Sequence, residues 1–211
     1  MPYHQTDQKH DSELFIDTHA RCLEQIKGID LASKAKHLGG EMIGNALIIN
    51  IYGRPYQITR FNVVDTDGQK ANPAISVVLY KYILQFPKVP PLSEGDWVTY
   101  REFENAGPLT GYFTQNTNKI IETSFAGRLN LLRDVCHKTG GIPVKDEGGF
   151  DIAVQFDFLP RVPVLFRFND RDEDFPAVSS LLFRQSAQVY LDLKCLSIGG
   201  TLLTGKLIRE I

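Results

Sequence analysis

Residues 149–183 read GFDIAVQFDFLPRVPVLFRFNDRDEDFPAVSSLLF. Phe150, Ile152, Val154, Phe156 and Phe158 alternate with Asp151, Ala153, Gln155 and Asp157. A period of two places five large apolar side chains on one strand face and mostly polar ones on the other. After Leu159-Pro160-Arg161-Val162-Pro163 the period resumes, with Val164, Phe166 and Phe168 against Leu165, Arg167 and Asn169. Two alternating runs across a short connection predict an antiparallel hairpin. Opposed residues share a face, so only registers that set apolar against apolar are admissible. The tightest opposes Phe158 with Val164 and Phe156 with Phe166. It sets Arg167 across from Gln155 and diagonal to Asp157, in reach of a cross-strand ion pair. Residues 177–183, after the acidic run DRDED, read as a third strand.

The same punctuation organises the flanks. A helix starts from a cap at Asp11 or Ser12 and runs to Lys27, with Leu14, Phe15, Thr18, Cys22 and Ile26 on one stripe. Asp30 caps a shorter helix, LASKAKHL, closed by Gly39 and Gly40. Residues 46–52 and 56–61 flank Gly53-Arg54-Pro55 as a second hairpin. Asp65-Thr66-Asp67-Gly68 is a turn, and Asn72-Pro73 opens a helix that Pro87 stops. Residues 97–102 (WVTYRE) read as a strand. A loop runs through Gly107-Pro108, and residues 117–125 and 128–138 read as one broken helix or two consecutive ones, with Gly127 between them. A short helix at 186–191 and a final one from Lys194 complete the chain. Gly199-Gly200 weaken the last by roughly 1 kcal/mol each against alanine. Strands and helices come in separate groups with no linker between them. The expectation is one α+β domain over residues 1–211, a largely antiparallel sheet of hairpins with helices packed against it, and a loose tail at 1–10.

With 211 residues the chain is long enough for one substantial core or two small ones. A net charge of −2 gives no basic excess to track phosphates, which argues against a nucleic-acid partner. No apolar run is long enough to span a bilayer. The first residues, MPYHQTDQKHDSE, contain no apolar signal region, and Cys22, Cys136 and Cys195 are odd in number and far apart. Both features fit reduced thiols in a cytoplasm.

WVTYRE, DIAVQFDFLPRVPVLFRF, EDFPAVSSLLFRQSAQVYL and the preceding VVLYKYIL resemble, in order, the family catalogued as domain of unknown function 3786, over roughly residues 35–207. The resemblance implies an intracellular bacterial or archaeal protein with no assigned activity. Some relatives are joined to a cysteine-rich iron–sulfur segment. The three cysteines here form no CxxC pair, so that role transfers to no residue of this chain.

Motifs of established chemistry are weak. Gly200–Lys206 (GTLLTGK) has phosphate-loop spacing, but Leu207 replaces the magnesium-holding hydroxyl and too few residues follow for the required helix. Asp170, Asp172 and Asp174 begin like a calcium loop. Phe175 and Leu181 stand where glycine and glutamate belong, so a solvated acidic loop is the better reading. His19 and Cys22 are one helical turn apart, which gives two ligands and no third. Cys136 and His137 point about 100° apart on a helix, poorly placed to share a proton. Asp151 and Asp157, about 20 Å apart along a strand, cannot be an acid–base pair. Two sites deserve weighing against plain packing. Trp97 and Arg101 share a face if WVTYRE is extended, and an aromatic beside a guanidinium can grip an anionic or planar ligand. Arg161 is held between Pro160 and Pro163 on a stiff corner. It can bind a carboxylate or phosphate there, or lock the corner to another element.

These residues lead to a cytoplasmic, non-catalytic binding or accessory module, tied to a cofactor- or redox-linked system only through the relatives' company. Its partner is an unidentified small molecule or protein, and no cofactor is evident. The alternative is a small-molecule enzyme or ligand binder with a site around Trp97, Arg101 and Arg161. A third reading is a subunit whose apolar face pairs with itself or a partner.

Overall fold

The computed structural model describes residues 17–145 and 148–211. The expected tail at 1–10 and the helix cap at Asp11 or Ser12 lie outside the described residues. The chain is α+β, with two antiparallel sheets rather than one.

The first sheet is a meander in the order β1-β2-β3-β4: β1 (Glu41–Ile43), β2 (Ala46–Ile51), β3 (Arg54–Ile58) and β4 (Val63–Val64). The second has the order β5-β9-β8-β7-β6: β5 (Trp97–Thr99), β6 (Ile142–Pro143), β7 (Ile152–Leu159), β8 (Val162–Asn169) and β9 (Val178–Arg184). The helices are α1 (17–27), α2 (Leu31–Leu38), α3 (Pro73–Gln85), α4 (Gly107–Asn116), α5 (Asn118–Phe125), α6 (Leu129–Lys138), α7 (Ala187–Tyr190) and α8 (Leu193–Ile208).

Local chemistry explains most boundaries. The Asp30 carboxylate accepts from Ala32 N and Ser33 N, and Gly39 closes α2 at φ 74°. Asn72 Oδ1 accepts from Ala74 N at 2.7 Å, and Pro73 fits the first turn of α3.

Four expectations need correction. Phe156 opposes Val164 and Val154 opposes Phe166, so the central hairpin is shifted two residues from the predicted pairing. The core face is unchanged, because a shift of two preserves the pleat. The connection is shorter than expected. Phe158 forms a bulge and Leu159 pairs with Val162, which leaves Pro160-Arg161 as the turn. Arg167 therefore lies opposite Ala153, with its guanidinium 4.9 Å from the Phe150 ring centre, not beside Asp157. Second, the strand of WVTYRE ends at Thr99. The Glu102 carboxylate accepts from Thr99 N and Oγ1 at 2.7 and 2.6 Å, which folds residues Tyr100–Glu102 into a 3-10 turn. Third, β2 and β3 turn on Tyr52-Gly53, with Ile51 opposite Arg54, rather than on Gly53-Arg54-Pro55. Fourth, the expected loop after Gly107-Pro108 is helix α4. Its Phe113 stacks on Tyr100 at 4.2 Å, and that burial outweighs the glycines at 107 and 111.

One hydrophobic cluster runs through both sheets and the helices. Val98, Phe183, Val164 and Phe156 form one row of it across four strands. α8 crosses that face, and its glycines make the approach possible. A Cβ on Gly199 would meet Phe158 Cε1 at 2.5 Å, and one on Gly200 would meet Phe113 Cε2 at 2.6 Å. Three buried tyrosines then fasten the layers by donating to backbone carbonyls: Tyr52 to Gly199 O, Tyr82 to Leu38 O and Tyr100 to Leu193 O.

Candidate functional site

The two sheets meet at the bulge of β7. Pro163, opposite Asp157, has no N–H to donate across the ladder. Tyr52 N instead donates to Asp157 O at 3.1 Å and to Phe158 O at 3.2 Å. Tyr52 has φ 49° and Gly53 φ 77°, the two positive values that a tight two-residue hairpin turn demands. Glycine adopts this freely. For a tyrosine it is strained, by about 1–3 kcal/mol. The surroundings hold it there. The Tyr52 ring stacks on Phe158 at 5.2 Å, its hydroxyl is fixed by Gly199, and its carbonyl accepts from Lys206 Nζ at 2.5 Å.

Beside this junction opens a cleft of about 720 Å³. Its walls are Asn50 and residues 52–54 from the β2–β3 hairpin, residues 138–140 at the end of α6, the bulged part of β7 with Pro160, Gly39 of α2 and Lys206 of α8. Each wall belongs to a helix, a strand or the tight connection that ends one, so the cleft is a preformed shape.

Its charged groups are three cations and one carboxylate: Arg54, Lys138, Lys206 and Asp157. Arg54 is engaged, at 2.6 Å from Asp65 and 4.0 Å from Asp67. Burial and the neighbouring Arg209 push the Lys206 ammonium below its usual range. Lys138, exposed at the end of α6, has no ion-pair partner among the described residues, nor has Asp157. Among the described residues, Asp157 Oδ1 accepts one long contact, 3.4 Å, from Gln155 Nε2.

The residues singled out in the sequence lie elsewhere. Trp97 is half-buried, and the guanidinium stacked on it, 4.0 Å from the ring centre, is that of Arg184. Arg101 stands exposed on the 3-10 turn. Arg161 donates from Nε to His37 O at 3.3 Å. That carbonyl is in the last turn of α2, where a cation also complements the helix dipole. Next to it, Pro160 Cβ lies 2.6 Å from where a Gly39 Cβ would be, so the corner seats directly on the α2 cap. Trp97, Arg101 and Arg161 line neither the large cleft nor a second cavity of about 190 Å³ between α1, α3 and α8. Arg161→Ala should therefore lower stability by about 1 kcal/mol, the weight of one charge-assisted bond at an exposed site. Urea unfolding checks this, and an unchanged midpoint would remove the lock.

The remaining motifs have structural explanations. The GTLLTGK run is inside α8, so its backbone N–H groups are spent on the helix and cradle nothing. Asp170 Oδ1 accepts from Gly127 N and Arg171 N, and Asp172 Oδ1 from Asp174 N and Phe175 N. Asp172 braces its own loop, and Asp170 also ties that loop to the turn between α5 and α6. All three thiols are buried, and burial pushes Cys136 up to about 12. Among the described residues no three His, Cys, Asp or Glu side chains stand close enough to hold a metal, and no helix is long and apolar enough to cross a membrane.

The sequence signal for the cleft was faint. Lys206 stood in a motif whose phosphate-loop reading fails, and Lys138 is one of several lysines at helix ends. Tyr52 gave no sign of its left-handed backbone.

An α+β domain of two antiparallel sheets, with a cation-lined cleft where they meet, is the class of protein these observations define. Residues 30–206 match the family described as Domain of unknown function (DUF3786), and the chain belongs to that family. No curated protein and no solved structure matches the chain.

Proposed function

We propose that the protein is a cytoplasmic, non-catalytic binding module that holds a small molecule in the cleft between its two sheets. The observation that carries this reading is the composition of the cleft wall. At about 720 Å³ it has the size of a ligand site. It offers ammonium groups, an amide, a carboxylate and backbone, and it lacks a nucleophile paired with a base. The strained Tyr52 at its edge supports the same reading, since strain held by tertiary contacts tends to gather where a backbone must present groups to a ligand. An accessory role beside a cofactor- or redox-linked system rests on the iron–sulfur segments of relatives.

Native mass spectrometry on protein isolated gently from its own host, with an absorption spectrum on the same sample, tests the reading. A retained small molecule that is lost on unfolding is the expected result. Bare protein, with no compound of a broad metabolite panel raising its melting temperature, would sink the idea.

A further inference from the structure

The geometry points to a ligand bearing an anionic head group, a phosphate or a carboxylate, anchored by Lys138 with Lys206 as the second cation. This rests on the binding reading above and adds the chemical class. The cleft holds three positive groups against one negative group. Arg54 is already neutralised by Asp65 and Asp67, which leaves two lysines from different elements, α6 and α8. Lys138 has no carboxylate among the described residues to satisfy it. Lys206 currently donates to the Tyr52 carbonyl, a neutral acceptor. Its ammonium is half-withdrawn from water, so an anion replacing that carbonyl gains more from it than it would from a solvated lysine. Lysines are point charges that suit the rounded surface of a phosphate or the end of a carboxylate without demanding a fork geometry.

The carboxylate of the lining refines the ligand further. The Asp157 side chain is exposed and, among the described residues, is outside any ion pair and touched at one oxygen by Gln155. It is an acceptor facing the same space as the lysines. The matching molecule therefore carries a hydroxyl or amino donor as well as its anionic head. Asn50, which can donate and accept, lines the same cleft.

The test titrates the full chain with inorganic phosphate and with succinate, and with glycerol as the uncharged control, by calorimetry and thermal unfolding at fixed ionic strength. The tighter of the two anions identifies the head group. Lys138→Ala should weaken it by about tenfold or more, the weight of one charge-assisted contact. Because Lys138 is exposed at a helix end, this variant should lose no more than about 1 kcal/mol of stability and stay folded. Lys206→Met should act in the same direction, and its folding is checked separately because it also removes the Tyr52 contact. Equal binding by Lys138→Ala and the parent, or a neutral molecule retained from the host, overturns the anionic head group while the binding reading stands. A cleft that retains nothing from the host and responds to no compound overturns both.

Discussion

Phe158→Ala is expected to destabilise the protein by about 3–5 kcal/mol, the usual range for deleting a buried aromatic ring. At this chain length each kcal/mol corresponds to about 2–4 °C in melting temperature. The ring does three things at once. It fills the bulge of β7, stacks on Tyr52, and lies against the bare Cα of Gly199. Gly199→Ala in the parent should also destabilise, because a Cβ 2.5 Å from the ring must push it aside. Overpacking of that kind costs about 1–3 kcal/mol, against about 1 kcal/mol of better helix propensity. In the Phe158→Ala background the obstacle is gone, and Gly199→Ala should change sign and stabilise by about 1 kcal/mol. Urea denaturation of the four proteins measures the cycle. Additivity within about 0.5 kcal/mol would show that glycine and ring are not coupled.

Asp192→Ala should produce the second large loss, about 2–3 kcal/mol. Asp192 has two partners. Its Oδ1 caps α8 through Cys195 N at 2.9 Å, and its Oδ2 pairs with Lys81 of α3. The side chains are 33% and 21% exposed, so the pair belongs between a surface bridge, worth at most about 1 kcal/mol, and a buried one, whose breakage costs about 3–5. The cap adds about 1 kcal/mol. Asp192→Asn keeps a capping oxygen and loses the charge, so it should lie between alanine and the parent.

The same pair makes stability depend on pH. Burial pushes Asp192 upward, but the hydrogen bonds from Lys81 and Cys195 N outweigh it and hold the carboxyl below its ordinary 3.8. Its contribution is therefore complete above 3.8 and is lost as pH falls through the lower folded value. For Lys81, burial works downward, and the bond and charge of Asp192 outweigh it, raising the ammonium above 10.5. Its contribution is complete below 10.5 and is lost as pH rises through the folded value. Asp192→Ala should flatten both limbs of the profile relative to the parent. Unchanged slopes in acid and alkali would count against the pair.

The sequence by itself determined the α+β class, the core face of the central hairpin, and the caps of α2 and α3. Each depends on contacts between near neighbours. Alternation sends Phe156 and Phe166 inward whatever the register, and Asp30 or Asn72 needs only the next few N–H groups. Tertiary structure decided the register, the turn residues and the cleft. Register moved because a bulge absorbed Phe158, and that bulge depends on Tyr52 N–H from another sheet supplying its carbonyls. Tyr52 adopts a backbone that favours glycine only because Phe158, Gly199 and Lys206 all grip it. The glycines of α8, a weakness by propensity, are where Phe158 and Phe113 press closest. Trp97 and Arg161 were legible as aromatic and cation on stiff elements, but their partners, Arg184 and the His37 carbonyl, are separated from them by more than 80 residues. The cleft joins Asn50, Lys138, Asp157 and Lys206. No local pattern relates them, because what brings them together is the packing of two sheets at one bulge.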